Sequence, residues 1–327
     1  MPEQTVIEAV RDTMRAEMRR DESVILLGED VGLRGGVFLA TDGFIEEFGE
    51  DRVIDTPLAE SLICGLALGA AVNGMRPLAE IQFADFVWPA INQLVGEAAR
   101  VRYGTNGVKT APMTIRVPYG GGVRGGLYHS QSIEVLFAHT PGLTVVAPAT
   151  PYDAKGLLAS AIRSDDPVIV LEHKRTYRLV KGEVPIEDYT IPIGRAEIKR
   201  PGSEMTIVTY GLMLHYALQA AETVSEQGLD VEVLDLRTLR PLDADAIAES
   251  VSRTGKVLIV QEDTPAVSIS SEVAAIVGER CFFDLDGPIT RLTGPELPPM
   301  PFSPLQEAAF MPSPEKIVAA IAKLAEL

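Results

Sequence analysis

Hydrophobic positions along the chain follow two periods, one typical of strands and one typical of helices. The first helical pattern covers residues 5–19, and its apolar positions form one stripe: Val6, Ile7, Val10, Met14 and Met18. Short apolar runs predict strands at residues 24–27, 77–83, 113–117, 143–146 and 168–171, with helices between them at residues 58–72, 87–103 and 153–163. Because strand and helix alternate almost throughout, a parallel α/β architecture is expected.

A polar stretch punctuated by proline and glycine, residues 181–203, interrupts this pattern and predicts a crossover between two domains. We place the domains at residues 1–190 and 191–327. In the second domain the pattern predicts strands at 205–210, 231–236 and 257–260, and helices at 214–227, 244–252, 270–278 and 314–327. The expected fold class is therefore α/β, with two three-layer α/β/α domains.

Glu60 is the only ionisable residue at the head of an unusually apolar helical segment, Leu58–Val72. Thr56 and Pro57 are predicted as its N-cap and first helical residue. The segment is apolar on every face, which predicts burial on all sides. A carboxylate placed there loses its water at a cost of several kcal/mol unless it stays protonated or meets a partner. The alternative is a surface Glu favoured by the helix dipole, but a buried functional carboxylate is the better interpretation.

Composition and charge exclude several classes of protein. With 46% hydrophobic and 23% charged residues the chain has an ordinary globular composition. Its net charge of −17 argues against nucleic acid and anionic membranes as partners. Two isolated cysteines, Cys64 and Cys281, form no disulfide framework and favour a reducing cytoplasm. We expect no targeting segment, and the longest apolar run, Leu62–Val72, is too short to span a membrane.

The strand predicted at residues 77–83 leads into an acidic and aromatic corner, Ala84-Asp85-Phe86. Ligands of open α/β sheets bind outside the carboxyl ends of the strands. Gln82 and Phe86 are therefore expected near the head of the Glu60 helix, where an aromatic ring and a carboxylate suit a flat heterocycle. Alternatively, Phe86 and Trp88 are ordinary core aromatics.

A glycine-rich segment follows the strand at residues 113–117 and leads to His129. Five of the seven residues from Gly120 to Gly126 are glycine, but the Walker and dinucleotide spacings are absent, so no phosphate site is predicted. His129 stands beside Ser130, a predicted helix start, and is suited to proton transfer near neutral pH. The other histidines have no metal spacing: His139, His173 and His215. A Gly-Asp-Gly motif for Mg²⁺ and a diphosphate is also absent from the sequence.

Three segments in combination resemble one family: Thr56–Glu60, Ala79–Phe86 and Tyr128–Ser132. The family is the β subunit of the thiamine-diphosphate-dependent 2-oxo acid dehydrogenases, the decarboxylating first component of those complexes. The resemblance continues through residues 141–143, 153–158 and 235–243 and covers essentially the whole chain. The second and third segments look more like branched-chain enzymes than pyruvate enzymes.

The resemblance implies roles for individual residues. The matching Glu of the family, here Glu60, binds N1′ of the cofactor pyrimidine and so helps to activate the cofactor. Leu58 and Phe86 would line the pyrimidine, with Gln82 close by. Position 86 is often Tyr in branched-chain relatives, so a hydroxyl contact is missing here. His129 matches a histidine at the active-site entrance that assists the handling of substrate or lipoyl groups.

The resemblance also implies partners. This chain would bind the pyrimidine half of thiamine diphosphate, while an α subunit would hold the diphosphate half with Mg²⁺. The implied assembly is a heterotetramer of two α and two β chains, which transfers the acyl group to lipoyl groups of a dihydrolipoyl acyltransferase core. Residues 1–190 would be the transketolase-like pyrimidine-binding domain and residues 191–327 the transketolase C-terminal-type domain, which supports dimerisation and in some complexes docks the core.

Family members bind a structural potassium ion, and the matching positions here are Met113, Ala161, Ile162, Ser164 and Asp166. Ser164 replaces the usual Asp, which removes a charge from the site. A second departure lies at residues 266–271, where relatives usually carry a Gly-Gly turn.

Several alternatives are compatible with these residues. The substrate is a branched-chain 2-oxo acid in the leading interpretation, and pyruvate or acetoin dehydrogenase β subunits are its near alternatives. A non-catalytic α/β scaffold subunit is an alternative of another class. A flavodoxin-like nucleotide-binding module is disfavoured because no phosphate loop follows an early strand.

Overall fold

The computed structural model describes all 327 residues, which group into two units. Unit 1 consists of Met1–Tyr119 and Leu136–Ile193, and unit 2 consists of Gly120–Val135 and Gly194–Leu327. The glycine-rich segment therefore belongs to unit 2, a grouping that the sequence pattern does not predict. The domain boundary at residue 190 stays a prediction.

Unit 1 is built on a parallel sheet whose strands follow the order β3-β2-β4-β5-β7-β6. Every residue of β2, β5 and β7 is buried, so both faces of the sheet are covered, as a three-layer domain requires. A separate antiparallel pair joins β1 and β8. The strands are β1 (Glu3–Thr5), β2 (Val24–Gly28), β3 (Val53–Asp55), β4 (Arg76–Glu80), β5 (Thr114–Tyr119), β6 (Thr144–Val146), β7 (Val168–His173) and β8 (Lys181–Glu183).

Two helices of unit 1 begin at a residue whose side chain caps the helix. The first helix has a capping box, in which Thr5 and Glu8 satisfy each other's backbone N–H groups, and the Thr150 side chain caps a later helix by accepting from Asp153 N. The helices are α1 (Val6–Arg20), α2 (Phe44–Phe48), α3 (Glu60–Val72), α4 (Val101–Gly104), α6 (Pro151–Arg163) and α7 (Thr176–Leu179), and α5 (Glu134–Ala138) crosses from unit 2 into unit 1. Apolar side chains of α1 and α6 share one core with β2 and β7.

The single helix predicted at residues 87–103 is wrong. The structure has short 3-10 turns at Trp88–Ala90 and Ala98–Arg100, a π-helical turn at Asn92–Glu97 between them, and then α4. Pro89 lacks a backbone N–H and Gly96 has a low helix propensity, and both oppose a regular α-helix.

Unit 2 has a mixed sheet in the order β14-β13-β10-β11-β9, in which only β9 runs antiparallel to its neighbour. Its central strands β10, β11 and β13 are fully buried. The strands of this sheet are β9 (Glu197–Arg200), β10 (Met205–Thr209), β11 (Val231–Asp235), β13 (Val257–Val260) and β14 (Thr290–Leu292). A further strand of unit 2, β12 (Thr238–Arg240), is not part of this sheet. The helices are α8 (Leu212–Ser225), α9 (Ala244–Thr254), α10 (Ile269–Arg280), α11 (Pro304–Phe310) and α12 (Pro314–Ala325).

The predicted α/β class with two domains is confirmed, and the strands predicted in both halves are present with small shifts at their ends. No helix combines the length and the apolar character that crossing a membrane demands.

Candidate functional site

Glu60 is the first residue of α3, and the residue that precedes the helix, Ala59, provides no side-chain cap. The prediction that Thr56 caps the helix and Pro57 begins it is therefore wrong. Thr56 N donates to Gly28 O at 2.9 Å, which attaches this residue to the end of β2. The chain then stays non-helical until Ala59, whose carbonyl accepts the first helical hydrogen bonds, from Leu62 and Ile63.

The side chain of Glu60 is only 7% exposed, as the sequence predicts, and it has no hydrogen bond or ion pair within the chain. The charge of Glu60 contributes to the pKa shifts of two other residues, Cys64 and Glu29. Burial and then Glu60 raise the pKa of the Cys64 thiol to about 12. Burial, then Asp30 and then Glu60 raise the pKa of Glu29. A buried carboxylate that lacks a partner of its own is suited to receive one from a bound molecule.

Gln82 reaches the same place from the strand end. Strand β4 stops at Glu80, earlier than predicted, and Gln82 Nε2 donates to Glu29 O at 3.4 Å. Glu29 is thus the common neighbour of Gln82 and Glu60. Glu60 and Gln82 therefore both lie near the end of the unit 1 sheet at which β2 and β4 stop.

Phe86 and Leu58 are the apolar members of the predicted site. Phe86 ends a 3-10 turn, Ala84–Phe86, is half-buried and packs edge-on against Phe83, with ring centroids 5.5 Å apart. Leu58, two residues before Glu60, is 72% exposed. Trp88 is 58% exposed, so the alternative that both aromatics belong to the core is wrong for Trp88.

The prediction that α3 is buried on all sides is wrong. Its inward positions are Ile63, Cys64, Ala67 and Ala71. Its outer face, defined here as Leu62, Leu66 and Gly69, is exposed: Leu62 by 46% and Leu66 by 41%. Hydrophobic periodicity predicts that an apolar helix face is buried. It does not distinguish burial within the chain from burial against another chain.

Unit 1 contains a buried ionic network on strands β4, β5 and β7, which sequence reasoning missed. Arg116, on β5, binds Glu172 of β7 with two hydrogen bonds of 2.7 and 2.6 Å and Glu80 of β4 with one of 2.5 Å. Tyr177 Oη also donates to Glu172, at 2.5 Å. Burial raises the pKa of Glu80, while Arg116 opposes that shift. The network ties three strands together near the end of the sheet where Gln82 follows β4.

His129 lies in unit 2, after the 3-10 turn Gly126–Tyr128. It is half-buried, and its neighbour Tyr128 is 68% exposed. The predicted helix start at Ser130 is wrong, since α5 begins at Glu134. Gly120 N donates to Gln131 O at 3.0 Å, and this bond closes the segment into a loop, so residues 130 and 131 do not enter a helix.

Close packing explains the glycines of this segment. A Cβ atom on Gly126, where φ is +63°, would lie 2.5 Å from the ring of Phe302. A Cβ on Gly121 would lie 2.6 Å from Met300 Cε. Larger residues at either position would therefore push the segment away from residues 300–302 of unit 2.

Two buried carboxylates of unit 2, Glu262 and Glu307, bind the backbone of the same segment. Glu262 Oε1 accepts hydrogen bonds from Gly121 N at 2.5 Å and from Ser132 Oγ at 3.3 Å. Glu307 Oε1 accepts from Gly122 N at 3.0 Å and from Arg124 N at 3.1 Å. Sequence reasoning missed both residues, because they lie 141 and 185 residues along the chain from Gly121 and Gly122. No local pattern marks them.

A third carboxylate, Glu134, is completely buried where the segment ends. Tyr210 Oη donates to its Oε1 at 2.6 Å, and its Oε2 has no hydrogen-bond partner. Burial, with a further contribution from Asp263, raises the pKa of Glu134 to about 8. Burial likewise raises the pKa of Asp263 to about 6. Burial therefore favours the protonated form of Glu134.

The five residues predicted to hold potassium lie close together in unit 1. Their backbone oxygens already accept hydrogen bonds: Met113 O from Val168 N, Ala161 O from Ser164 N, Ile162 O and Ser164 O from Arg76 Nη1, and Asp166 O from Ser164 Oγ. Each carbonyl keeps a second lone pair, so the donor set fits a cation held by oxygen atoms. The Arg76 guanidinium, however, already brings a positive charge to two of them.

The loop that lacks the Gly-Gly turn adopts an unusual backbone conformation. Val267 has a φ of +48°, in the left-handed region that favours glycine, and its side chain is 80% exposed. A β-branched residue is strained in that conformation.

Comparison with known proteins gives consistent matches along the whole chain. Residues 3–180 match the transketolase pyrimidine-binding domain, and residues 194–317 match the transketolase C-terminal domain. The 2-oxoisovalerate dehydrogenase subunit beta of Bacillus subtilis (strain 168) is 58% identical over 320 residues, which cover 98% of each chain. The pyruvate dehydrogenase E1 component subunit beta of the same organism is 47% identical over 326 residues and 100% of each chain.

A solved structure described as a split gene transketolase, inactive beta4 tetramer, superposes with a TM-score of 0.78. The match covers 99% of this chain and 98% of that one at 22% identity, so it supports the fold alone.

Proposed function

Because this chain belongs to the β subunits of the first component of 2-oxo acid dehydrogenases, a thiamine-diphosphate-dependent family, we propose that it decarboxylates a branched-chain 2-oxo acid together with an α subunit. The observation that carries this proposal is Glu60, a buried carboxylate with no partner in its own chain, at the edge of a domain that matches pyrimidine-binding domains.

Glu60 is proposed to bind ring atom N1′ of the cofactor pyrimidine and to hold a proton there. Burial strengthens this interaction, because a carboxylate removed from water binds a protonated ring nitrogen with little competition. Gln82, whose side chain donates to the carbonyl of Glu29, would lie close to the pyrimidine. Phe86 and Leu58 would supply apolar contacts to the pyrimidine ring. Thiamine diphosphate, when bound, supplies the carbon nucleophile that allows loss of CO₂.

His129 is proposed to move a proton during the handling of the substrate or of the lipoyl acceptor. The half-buried imidazole stands beside an exposed tyrosine on a segment without regular strand or helix. Imidazole is the side chain best suited to donate and accept a proton near neutral pH. Glu60 and His129 are therefore the proposed catalytic residues.

An α subunit is proposed to complete the active site, in a heterotetramer of two α and two β chains. The sequence has no Gly-Asp-Gly motif, so the α subunit would hold Mg²⁺ and the diphosphate. The exposed apolar outer face of α3, on the helix that begins with Glu60, supports contact with another chain. The acyl group would pass to lipoyl groups of an acyltransferase core. The two free, buried cysteines agree with a reducing compartment, and we place the complex in the cytoplasm.

Potassium is a further part of the proposal. The carbonyl oxygens of Met113, Ala161, Ile162, Ser164 and Asp166 would hold it, in competition with the guanidinium of Arg76. If they do, replacing NaCl by KCl at equal concentration raises the melting temperature of the assembled protein. Equal melting temperatures in the two salts would contradict a potassium site.

The test of the proposed function is co-expression with the α subunit and steady-state kinetics with 2-oxoisovalerate and pyruvate. We expect turnover only from the assembled pair, with a higher kcat/KM for 2-oxoisovalerate, in line with the 58% identity to the branched-chain relative against 47% to the pyruvate relative. Turnover by this chain alone, supplied with thiamine diphosphate and Mg²⁺, would contradict the shared active site. A higher kcat/KM for pyruvate would overturn the substrate assignment.

A further inference from the structure

We propose that Glu262 and Glu307 are positioning residues for the reaction: they hold the segment Gly120–Ser132 in the conformation that sets the imidazole of His129. This inference rests on the role proposed above for His129. It assigns a function to two carboxylates that lie far from His129 in the sequence but belong to the same unit of the fold, unit 2.

The segment Gly120–Ser132 is rich in glycine and has little regular secondary structure of its own. It has one 3-10 turn, Gly126–Tyr128, and no strand or α-helix before residue 134. Five glycines in a run of seven residues give its unfolded form a high conformational entropy. Within the segment, Gly120 N donates to Gln131 O, and Gln131 Nε2 donates to Leu127 O at 3.2 Å.

Glu307 holds the outward turn of the segment. One carboxylate oxygen accepts the N–H groups of Gly122 and Arg124, on either side of the exposed Val123. Arg124 has a φ of +60°, a costly conformation for a residue with a side chain, which persists only where its surroundings enforce it. Glu307 is 6% exposed, so these charge-assisted hydrogen bonds face little competition from water.

Glu262 holds the base of the segment. Its Oε1 accepts from Gly121 N near the beginning and from Ser132 Oγ near the end, and so joins the two sides of the loop that contains His129. Gly125 then lies directly against His129, since a Cβ at Gly125 would be 2.5 Å from His129 O and 2.8 Å from its Cβ. The position of the backbone at residues 121–125 is thereby transmitted to His129.

Loss of either carboxylate would remove these acceptors and loosen the segment. A catalytic group displaced by about 1 Å can lose about 100-fold in rate. We therefore expect Glu307→Ala to lower kcat/KM by about 10- to 100-fold through His129. A purely structural role would lower the melting temperature and leave kcat/KM unchanged.

The experiment uses the assembled α and β chains, with four β variants and their combinations. Glu307→Ala removes the acceptor, Glu307→Gln keeps an acceptor oxygen without the charge, and His129→Ala removes the imidazole. Glu326→Ala, an exposed Glu of unit 2, is the control. The readouts are kcat and KM, and hydrogen exchange at the amides of Gly122 and Arg124.

We expect Glu307→Ala to speed exchange at both amides and to lower kcat/KM, Glu307→Gln to recover most of each effect, and Glu326→Ala to change neither. In the His129→Ala background, Glu307→Ala should cause no further loss, because the residue acts through His129. Losses that multiply, unchanged exchange, or full activity of Glu307→Ala would each overturn the proposal. If Glu307→Ala does not assemble, Glu262→Ala is compared with Glu262→Gln by the same measurements.

The two levels of the proposal fail differently. Full activity of His129→Ala would contradict the function proposed for His129, and the positioning role with it. An impaired His129→Ala beside a fully active Glu307→Ala would overturn the positioning role alone.

Discussion

Glu60 and His129, the two proposed catalytic residues, are held in contrasting ways. Glu60 begins a regular helix, and the two residues that interact with its charge, Glu29 and Cys64, come from the end of β2 and from the same helix. His129 lies on a glycine-rich segment whose backbone is bound by carboxylates from the last third of the chain. The first residue is positioned by regular secondary structure and the second by a few specific hydrogen bonds.

The contrast also concerns what each region lacks. The Glu60 region has a carboxylate without a partner and an apolar outer face on α3, both of which another molecule would satisfy. The His129 segment finds its hydrogen-bond acceptors within unit 2. We infer that the first region depends on cofactor and partner for completion, whereas the second is completed by the chain itself.

The largest effect is expected from Glu60→Gln. This change keeps the size of the side chain but removes its ability to hold a proton at N1′, so kcat should fall by about 100- to 10,000-fold. Gel filtration should show unchanged assembly with the α subunit, and Glu50→Gln, at an exposed Glu of unit 1, serves as the control. Unchanged turnover would favour the alternative that this chain is a non-catalytic scaffold.

A change on the outer face of α3 should affect assembly and leave folding intact. Burying one leucine contributes about 1.5–3 kcal/mol, so Leu66→Gln should weaken binding of the α subunit by about 10- to 100-fold. The melting temperature of the isolated chain should fall only slightly, because Leu66 is 41% exposed there and lies on the outer face of the helix. Leu179→Gln, at a leucine 68% exposed on α7, is the matched control. Equal binding by wild type and Leu66→Gln would show that the outer face is not an interface.

The His129 region should respond to pH through Glu134. Its pKa is raised from 4.5 to about 8 in the folded chain, so the native state keeps a proton that the unfolded state loses. The stability that this provides is complete below about pH 4.5 and is lost as pH rises through about 8. The Glu134→Gln variant still accepts from Tyr210 and cannot titrate, so its melting temperature should fall less than that of wild type between pH 5 and 8. Parallel pH profiles would contradict the raised pKa.

The smallest effect is expected from Gly69→Ala, and its sign should differ between the isolated and the assembled chain. A Cβ at Gly69 meets no atom within 4 Å, so alanine should stabilise the free chain by up to about 1 kcal/mol through helix propensity. If another chain packs closely on the outer face, the added methyl group should weaken assembly. Thermal unfolding of the free chain and titration with the α subunit measure the two effects, and tighter assembly would speak against a close contact.

The sequence predicted what depends on local pattern. The strands of both units and the burial of Glu60 follow from hydrophobic runs and from a single charge among apolar residues. The N-cap assigned to Thr56 was wrong because a hydrogen bond to Gly28 fixes that residue beside β2. The apolar pattern wrongly places the outer face of α3 in the interior, because such a pattern does not identify the chain that covers a face.

The hydrogen bonds that fix the segment around His129 could not be predicted from the sequence, for a physical reason. Glu262 and Glu307 resemble any other acidic residue until the fold brings them to the amides of Gly121, Gly122 and Arg124. The run of glycines indicates a permissive backbone, but the side chains of Met300 and Phe302 that require these glycines lie far along the chain. Contacts of this length arise from the tertiary fold and leave no local periodicity.

A cycle that combines a protein variant with a cofactor analogue shows whether Glu60 acts on the pyrimidine nitrogen. Assembled wild-type and Glu60→Gln enzymes are assayed with thiamine diphosphate and with an analogue in which carbon replaces N1′. If Glu60 acts through N1′, each change alone abolishes most activity and the second change adds almost no further loss. Losses that multiply would show that the carboxylate does not act through N1′.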